Sequence, residues 1–175
     1  EALRAIGEVT VVAPDRNWSA SGHVKTLNRP LRVKEVCLAD GSPAWACDGA
    51  PSDCVALTVL GLLPRPIDMV ISGINPNANL GHDVTYSGTV TAAMEAAIWN
   101  LPGIAVSLDA GEHNSAPLDF STAAQVAARV AAKARKVAKS RSLYPAVDPI
   151  ATLDSTAKVA LLEKVEQRAR ARDPR

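Results

Sequence analysis

The chain has 175 residues, of which 47% are hydrophobic and 21% are charged, and its formal net charge is +1. These values are typical of one soluble globular domain and exclude a chain that is mostly disordered. No apolar run approaches the roughly 20 residues that a membrane-spanning helix requires, and no basic segment followed by an apolar one opens the chain. The composition therefore predicts neither a membrane span nor a signal peptide.

The three cysteines, Cys37, Cys47 and Cys54, form no CxxC pair. An odd number at these spacings is typical of neither a disulfide framework nor a zinc site. We therefore expect reduced thiols and a cytoplasmic location.

Charge is unevenly distributed along the chain. Residues 129–175 carry 12 basic and 5 acidic side chains, whereas residues 1–128 carry 7 basic and 13 acidic ones. A basic stretch can bind phosphate polymers, but basic side chains on a helix more often form a solvated face. We therefore do not expect a nucleic-acid partner.

The first residues predict half of a β-α-β unit. Glu1 to Ile6 is typical of the last turns of a helix that ends at Gly7, and Val9 to Ala13 predicts a buried parallel strand. Such a helix joins this strand to an earlier strand that pairs with it in parallel. We therefore expect an N-terminal strand and its loop to precede residue 1, so that the chain is truncated at its N-terminus.

Strands and helices alternate through the middle of the chain. The turn residues Asp40-Gly41 favour antiparallel pairing of the two short runs that flank them, and Pro64 and Pro66 end a helical pattern. The predicted elements are a hairpin of Leu31 to Val36 and Ala44 to Cys47, a helix over Pro51 to Leu63, a core strand over Asp68 to Ser72, a helix over Ser87 to Asn100 with Val90, Ala93, Met94, Ala97 and Ile98 at helical spacing, and a core strand over Ile104 to Leu108.

Phe120 to Ala138 predicts an amphipathic helix that covers the sheet, with Arg129, Lys133 and Lys136 on its solvated face. Its apolar stripe is Phe120, Ala123, Ala127, Val130, Ala134 and Val137. A second helical pattern runs from Ser155 to Arg172. We expect an α/β domain over residues 1–140 and a basic helical extension over residues 141–175.

Alternating elements predict an open, mostly parallel sheet with helices on both faces, and such sheets bind ligands at the carboxyl ends of their strands. Three loops follow predicted strands, at residues 14–23, 72–81 and 107–111. The first two are rich in Ser and Asn oxygens, which suit Mg²⁺, Mn²⁺ or Ca²⁺ provided that a carboxylate is added. Hydroxyls at Ser87 and Thr89 begin a helix and could hold a phosphate, although ordinary turns and an N-cap explain these residues equally well.

Five motifs then occur in one order along the chain. They are Val12-Ala13-Pro14-Asp15-Arg16-Asn17 followed by Ser19, Asp48-Gly49-Ala50-Pro51-Ser52-Asp53-Cys54-Val55, Ser72-Gly73-Ile74-Asn75, Asn79-Leu80-Gly81, and Tyr86-Ser87-Gly88-Thr89-Val90. Through these motifs, the chain resembles the SurE family of stationary-phase survival proteins over residues 1 to about 125. The resemblance implies a Rossmann-like three-layer α/β/α fold and metal-dependent 5′/3′-nucleotidase activity, the hydrolysis of nucleoside monophosphates to nucleoside and phosphate. It also implies a homodimer or homotetramer.

The resemblance assigns roles to individual positions. Ser19 and Asn75 match two metal ligands of the family, and we expect the cation to be Mg²⁺ or Mn²⁺. The residues that match positions near the substrate phosphate are Asn17, Asn79, Ser87, Gly88 and Thr89. Two adjacent aspartates that also bind the family's cation have no counterpart in this chain. Because two neutral ligands cannot replace two carboxylates around a dication, we expect this chain alone to bind metal poorly and to lack activity.

Other readings stay open at this stage. The chain could be a non-catalytic fragment that binds nucleotides or only assembles with copies of itself. Trp18 could stack on a nucleobase or pack on a neighbouring subunit, and His23 is a weak candidate for a phosphate contact. Asn77 stands where the family has Gly, so this loop could bend differently.

Overall fold

The computed structural model describes residues 1–110 and 117–141. Its strands and helices alternate along the chain, as the sequence predicts. A short 3-10 helix, Ala2–Ala5, comes first, and the later elements are β1 (Val11–Pro14), β2 (Val33–Cys37), β3 (Pro43–Cys47), α1 (Pro51–Leu57), a π-helical turn (Thr58–Leu62), β4 (Val70–Asn75), α2 (Asp83–Tyr86), α3 (Gly88–Ile98), β5 (Gly103–Ser107) and α4 (Ser121–Arg141).

The strands form two small sheets rather than one. The first sheet has the order β1-β3-β2, with β1 parallel and β2 antiparallel to β3, and the second is the parallel pair β4-β5. Helices α1 and α3 pack on each other, with α1 against β1 and α3 against both β4 and β5, while α4 contacts β4 and β5. The result is the expected three-layer α/β/α fold with mostly parallel pairing.

The predicted hairpin is confirmed, since Val33 pairs with Cys47 and Cys37 with Pro43 across the Asp40-Gly41 turn. The strand predicted over Asp68 to Ser72 instead begins at Val70 and continues to Asn75. Its ladder to β5 shifts register between Ser72 and Ile74, which lets Gly73 bulge out without ending the strand. Asn75 is therefore the last residue of a strand and not a loop residue.

The predicted core strands are wrong in one respect, because none of their side chains is fully buried. Val12, Ile71 and Ile104 are each half-buried, whereas the core consists of Val55 on α1 with Ala92 and Ala96 on α3. The physical reason is that β1 and β4 are edge strands, each paired on one side. Their other sides face each other across a slot.

This slot separates the two sheets. It has a volume of about 200 Å³ and its walls come from β1, β4, α1 and α3. The lining residues are Val12, Ala13, Pro14, Pro51, Cys54, Val55, Val70, Ile71, Ser72, Gly73, Gly88, Thr89 and Ala92. The slot is therefore bordered by two strand edges that are unpaired within the described residues, and most of its lining residues are apolar.

Helix α3 is confirmed, but it buries a different face from the one its apolar spacing predicts. Met94 and Ile98 are 49% and 64% exposed, while Thr91 and Glu95 are each 1% exposed. Polar groups can occupy a buried face when every one of them is hydrogen-bonded. The partners of Thr91 and Glu95 therefore determine how this helix lies.

Helix α4 covers β4 and β5 as predicted, and Arg129, Lys133 and Lys136 are exposed. Its buried positions are Ala127 and Ala131, whereas Val130 and Val137 of the predicted stripe are more than 40% exposed. Within residues 1–110 and 117–141, no helix is long and apolar enough to cross a membrane. The helix predicted over Ser155 to Arg172 lies outside the described residues.

Candidate functional site

Polar residues gather at the carboxyl ends of the strands. Asn75 ends β4 and Ser107 ends the neighbouring strand β5, and the two are register partners. Pro14 ends β1 and leads directly into the loop that carries Asn17 and Ser19. We call residues 15–21 and 76–82 the strand-end loops.

Asn79 connects two parts of this edge. Its Oδ1 accepts hydrogen bonds from the hydroxyl of Ser87, at 3.0 Å, and from the hydroxyl of Ser107, at 2.8 Å. The Ser87 oxygen also accepts a 3.3 Å bond from the amide of Val90, so Ser87 is the N-cap of α3. Asn79 thereby fixes the start of α3 against the end of β5.

The start of α3 approaches α1 closely. A Cβ atom added to Gly88 would lie 3.0 Å from Cγ of Pro51, which is tighter than ordinary contact. Gly88 and Thr89 both line the upper part of the slot. The absence of a side chain at Gly88 therefore lets α1 approach the N-terminus of α3, which is the kind of helix end where unpaired amides favour anions.

The two predicted metal-ligand residues make short local bonds. The Ser19 hydroxyl donates to Oδ1 of Asn17 at 2.7 Å, and the Ser19 amide donates to the same oxygen at 2.8 Å. Nδ2 of Asn75 donates to the carbonyl oxygen of Asn77 at 2.6 Å, which leaves Oδ1 of Asn75 as the acceptor available to a ligand. Asn77 participates through its backbone, and it does not adopt a positive φ, so a residue other than glycine is accommodated there.

A divalent cation needs more than these groups offer. Ser and Asn oxygens are hard ligands of the right kind, but a dication in water requires carboxylates as well. Across residues 1–110 and 117–141, no three His, Cys, Asp or Glu side chains converge as a metal-binding group. The described donor set does not by itself fit a resident Mg²⁺ or Mn²⁺ ion.

Two further candidates have partners in the structure. The Arg16 guanidinium lies over the Trp18 ring, 4.8 Å from its centroid, so one face of this ring is covered. Nε2 of His23 lies 2.8 Å from Oε2 of Glu95. This ring nitrogen is therefore engaged with a carboxylate and is not directed at a phosphate. His23 therefore belongs to a different polar cluster.

That cluster surrounds a segment without regular secondary structure, residues 22–26, which we call the strap. The strap bonds to the first turn of α1 and to α3, and from His23 to Thr26 alternate residues bond to the two helices. His23 and Lys25 bind Glu95 of α3, whereas Val24 and Thr26 bind α1. The strap and the four helix residues that hold it, Ser52, Asp53, Thr91 and Glu95, form what we call the strap junction.

On the α1 side, the strap bonds to two buried residues. The Ser52 hydroxyl donates to the carbonyl of Val24 at 2.5 Å. The Asp53 carboxylate accepts the Thr26 amide at 3.0 Å, the Thr26 hydroxyl at 2.7 Å and the Ala50 amide at 2.9 Å. Asp53 is 2% exposed. Its carboxylate caps its own helix through Ala50 and at the same time holds the strap through Thr26.

Electrostatics favour the charged form of Glu95. Burial raises the pKa of its carboxyl, but hydrogen bonds from Lys25, His23 and Trp99 outweigh this and hold the pKa below its ordinary value. Burial likewise raises the pKa of the Cys47 and Cys54 thiols, and all three cysteines are free. The two buried thiols are therefore poor nucleophiles.

Sequence reasoning missed Glu95, and it placed Ser107 in a candidate loop without giving it a role. Ser87, Thr91, Glu95 and Trp99 recur every fourth residue, which places four polar side chains on one face of α3. That spacing was the available signal, and the apolar stripe beside it concealed it. Ser107 was detectable as the last polar residue of a strand, at the edge where ligands bind.

The fold and this edge define a class of protein, an α/β domain in which amide and hydroxyl side chains lie together at the strand ends and at a helix N-terminus. The family model described as survival protein SurE matches residues 1–166. Among curated relatives, the 5′-nucleotidase SurE of Herpetosiphon aurantiacus is 58% identical over 135 residues, 77% of this chain and 52% of that protein. The one of Chloroflexus aggregans is 64% identical over 105 residues, 60% of this chain and 42% of that protein.

A solved structure agrees with these relatives. The crystal structure of the SurE protein from Aquifex aeolicus is 40% identical, superposes with a TM-score of 0.64, and covers 77% of this chain and 52% of that chain. The chain belongs to the SurE family. It spans about half the length of the curated relatives it matches.

Proposed function

We propose that the chain is the phosphate-binding part of a metal-dependent nucleotidase that hydrolyses nucleoside monophosphates to nucleoside and phosphate. The observation that carries this proposal is the Asn79 bridge between Ser87 and Ser107, because it holds the N-terminus of α3 at the carboxyl edge of the sheet. The relatives from H. aurantiacus and C. aggregans are each named 5′-nucleotidase SurE, which supports the same reaction.

The phosphate would bind at the start of α3. The N–H groups of the first turn of α3 point out of the N-terminus of the helix, and the helix dipole favours negative charge there. The Thr89 hydroxyl would donate a hydrogen bond to a phosphate oxygen. The side-chain oxygen of Asn79 already accepts hydrogen bonds from two hydroxyls, which orients its side-chain nitrogen to donate to the phosphate as well. Asn17 would complete the pocket by a polar contact, and Gly88 would present its backbone amide there.

The cation, Mg²⁺ or Mn²⁺ by resemblance, would supply Lewis-acid chemistry, with Ser19 and Asn75 as neutral ligands. Carboxylates would have to come from outside the described residues. A parallel strand in the slot between β1 and β4 would end at the same edge as Pro14 and Asn75, so side chains following it would reach this position. We propose that the aspartate pair of the family arrives in this way.

The test is phosphate release from nucleoside monophosphates by two proteins. One is the 175-residue chain, and the other is the same chain extended before residue 1 by a strand segment that ends in two aspartates. We expect Mn²⁺- or Mg²⁺-dependent release from the extended chain alone, and weaker release after Asn75→Ala because an oxygen ligand is lost.

Two results would contradict the proposal. Equal release with EDTA and with metal would show that no cation takes part. Metal-dependent turnover by the 175-residue chain would show that its own side chains are sufficient and that the aspartate pair is not needed.

A homodimer or homotetramer and a cytoplasmic location complete the proposal. Leu27, Leu80 and Tyr86 are 90%, 69% and 60% exposed and follow or flank the site loops, which supports an interface near the site. Sedimentation at several concentrations tests the subunit number. Replacing Leu80 by Ser should then shift the protein toward smaller species.

A further inference from the structure

Glu95 is the most deeply buried carboxylate among the described residues, with 1% of its surface exposed. Its Oε2 lies 2.8 Å from Nε2 of His23, and its Oε1 accepts the indole N–H of Trp99 at 2.8 Å and contacts Nζ of Lys25. Two of these three partners lie about 70 residues away in sequence, on the strap. The carboxylate therefore joins α3 to the loop that follows β1.

We propose that Glu95 is a positioning residue for the phosphate site: it holds the strap, and through the strap it holds Asn17 and Ser19 beside the start of α3. This inference rests on the proposed function, because it assigns Glu95 a role in the affinity of that same site. Nothing places Glu95 in contact with the phosphate itself.

The path from Glu95 to the site is short. Gly22, the first strap residue, accepts a hydrogen bond from the Thr91 hydroxyl at 3.3 Å, and its amide donates to the carbonyl of Tyr86 at 3.0 Å. Ser19 is three residues before Gly22 and Ser87 directly follows Tyr86. A displaced strap would therefore move Ser19 relative to Ser87.

The α1 side alone would not fix the strap. Val24 and Thr26 bind α1, whereas His23 and Lys25 bind Glu95, so the two sides hold alternate residues from His23 to Thr26. Without Glu95, the strap keeps its contacts to α1 and the backbone contacts of Gly22, but no bond holds His23 and Lys25 to α3. The cation of Lys25 would also lose its partner in a half-buried environment.

Stability alone is a weak explanation for this arrangement. The ion pair of Glu95 with Lys25 stabilises the fold little, because the carboxylate is desolvated while the Lys25 side chain stays 37% exposed. The better-attested consequence of such a pair is that it specifies one geometry among several. At this place in the fold, the geometry it specifies is that of the loop carrying Asn17 and Ser19.

The experiment compares Glu95→Gln with Glu35→Gln in the 175-residue chain. Glu35 is an exposed residue of β2, so this control removes the same charge at a distance from the strap. Inorganic phosphate is the probe, its binding is followed by calorimetry, and hydrogen exchange reports the protection of residues 17–26. For Glu95→Gln we expect roughly tenfold weaker phosphate binding and faster exchange in residues 17–26 with the β2–β3 hairpin unchanged. Glu35→Gln should change neither quantity.

Two strap variants keep the test informative if Glu95→Gln folds poorly. His23→Ala and Lys25→Met remove one partner each from side chains that are 25% and 37% exposed, so both should fold. Each should weaken phosphate binding in the same direction by a smaller factor. Val33→Ala, in the distant hairpin, serves as a control that lowers global stability without touching the strap.

The outcomes separate the two proposals. Wild-type phosphate affinity in Glu95→Gln, or unchanged protection of residues 17–26, would overturn the role of Glu95. An equal loss of affinity in Val33→Ala would do the same by showing a global effect. If the wild-type chain binds no phosphate, the proposed function fails, and the exchange rates together with the amide chemical shifts of Asn17 and Ser19 still decide whether Glu95 positions this loop.

Discussion

The strap junction and the strand-end loops are both polar, but their hydrogen bonds differ in kind. In the strap junction, buried side chains bond across long stretches of sequence, as Thr26 does to Asp53 and His23 to Glu95. In the strand-end loops, Ser19 bonds to Asn17 and Asn75 to Asn77, each two residues away. The helix side of the junction, at Ser52, Asp53, Thr91 and Glu95, is buried, while Ser19 and Asn77 are exposed.

This difference separates two uses of the same chemical groups. A buried, fully bonded polar group is costly to disturb, so it fixes the position of the chain. An exposed group with a local partner exchanges that partner at little cost, so it can bind a ligand. The junction thus fixes the geometry of the chain and the loops offer groups that can bind a ligand. Junction substitutions should lower stability more than loop substitutions do, and substitutions of the loop ligands should lower activity with little loss of stability.

The largest expected effect is the loss of stability in Asp53→Ala. The change leaves the Thr26 amide, the Thr26 hydroxyl and the Ala50 amide without their acceptor in a buried place. We expect the free energy of unfolding to fall by about 3 kcal/mol or more. Urea denaturation measures it.

Asp68→Ala is the matched control for this experiment, because Asp68 is exposed ahead of β4. Its effect should stay within about 0.5 kcal/mol. Equal unfolding midpoints for the two variants would show that the strap junction does not hold the fold.

The second effect concerns binding. Thr89→Val keeps the shape of the side chain and removes one donor at the start of α3, so phosphate affinity should fall roughly ten- to hundredfold. Thr122→Val, on the exposed first turn of α4, should leave phosphate affinity unchanged. Ser87→Ala should weaken phosphate binding and also lower stability by about 1 kcal/mol, because Ser87 is the N-cap.

Unchanged inhibition of the extended, metal-dependent protein by phosphate in both variants would contradict this assignment. Trapping a covalent phosphoenzyme on either hydroxyl would contradict it as well. In the first case Ser87 and Thr89 would have structural roles alone. In the second they would be nucleophiles, although no side chain described beside them is placed to activate a hydroxyl.

The order of elements could be predicted from the sequence because it depends on local patterns. The Asp40-Gly41 turn, the Pro64 and Pro66 stop and the β-branched run at Val11 each act within a few residues. The division into two sheets could not be predicted in this way. It depends on which strands have neighbours on both sides, and that is a property of the whole assembly of elements.

The candidate site divides along the same line. Ser87, Asn79 and Asn75 were identified through motifs, and the structure places Asn79 and Ser87 in direct contact. Glu95 was missed because its partners, His23 and Lys25, are distant in sequence and no local pattern joins them. Contacts over such distances follow from tertiary packing, which hydrophobic periodicity does not describe.

The third prediction concerns stability at acidic pH and the ion pair between Arg29, which follows the strap, and Asp48. A hydrogen bond from Arg29 holds the pKa of Asp48 below its ordinary value. A lowered pKa in the folded state contributes stability above the unfolded value, near pH 4, and this contribution is lost as the pH falls further. Asp48→Asn should therefore flatten the decline of stability below about pH 4. Asp68→Asn should leave the decline as it is, and identical curves for Asp48→Asn and wild type would contradict the prediction.

The smallest expected effect comes from applying one substitution to both regions. Ser52 is fully buried and donates to the carbonyl of Val24, so Ser52→Ala should cost about 1 kcal/mol of unfolding free energy. Ser19 is exposed and bonds to Asn17, so Ser19→Ala should change stability by less than about 0.5 kcal/mol. In the extended, metal-dependent protein, however, Ser19→Ala should lower phosphate release because it removes an oxygen ligand, while Ser52→Ala should act mainly through stability. Thermal unfolding and phosphate release, measured on both variants, give four values. If Ser19→Ala lost as much stability as Ser52→Ala and kept full activity, the loops would be structural and the distinction between the two regions would be wrong.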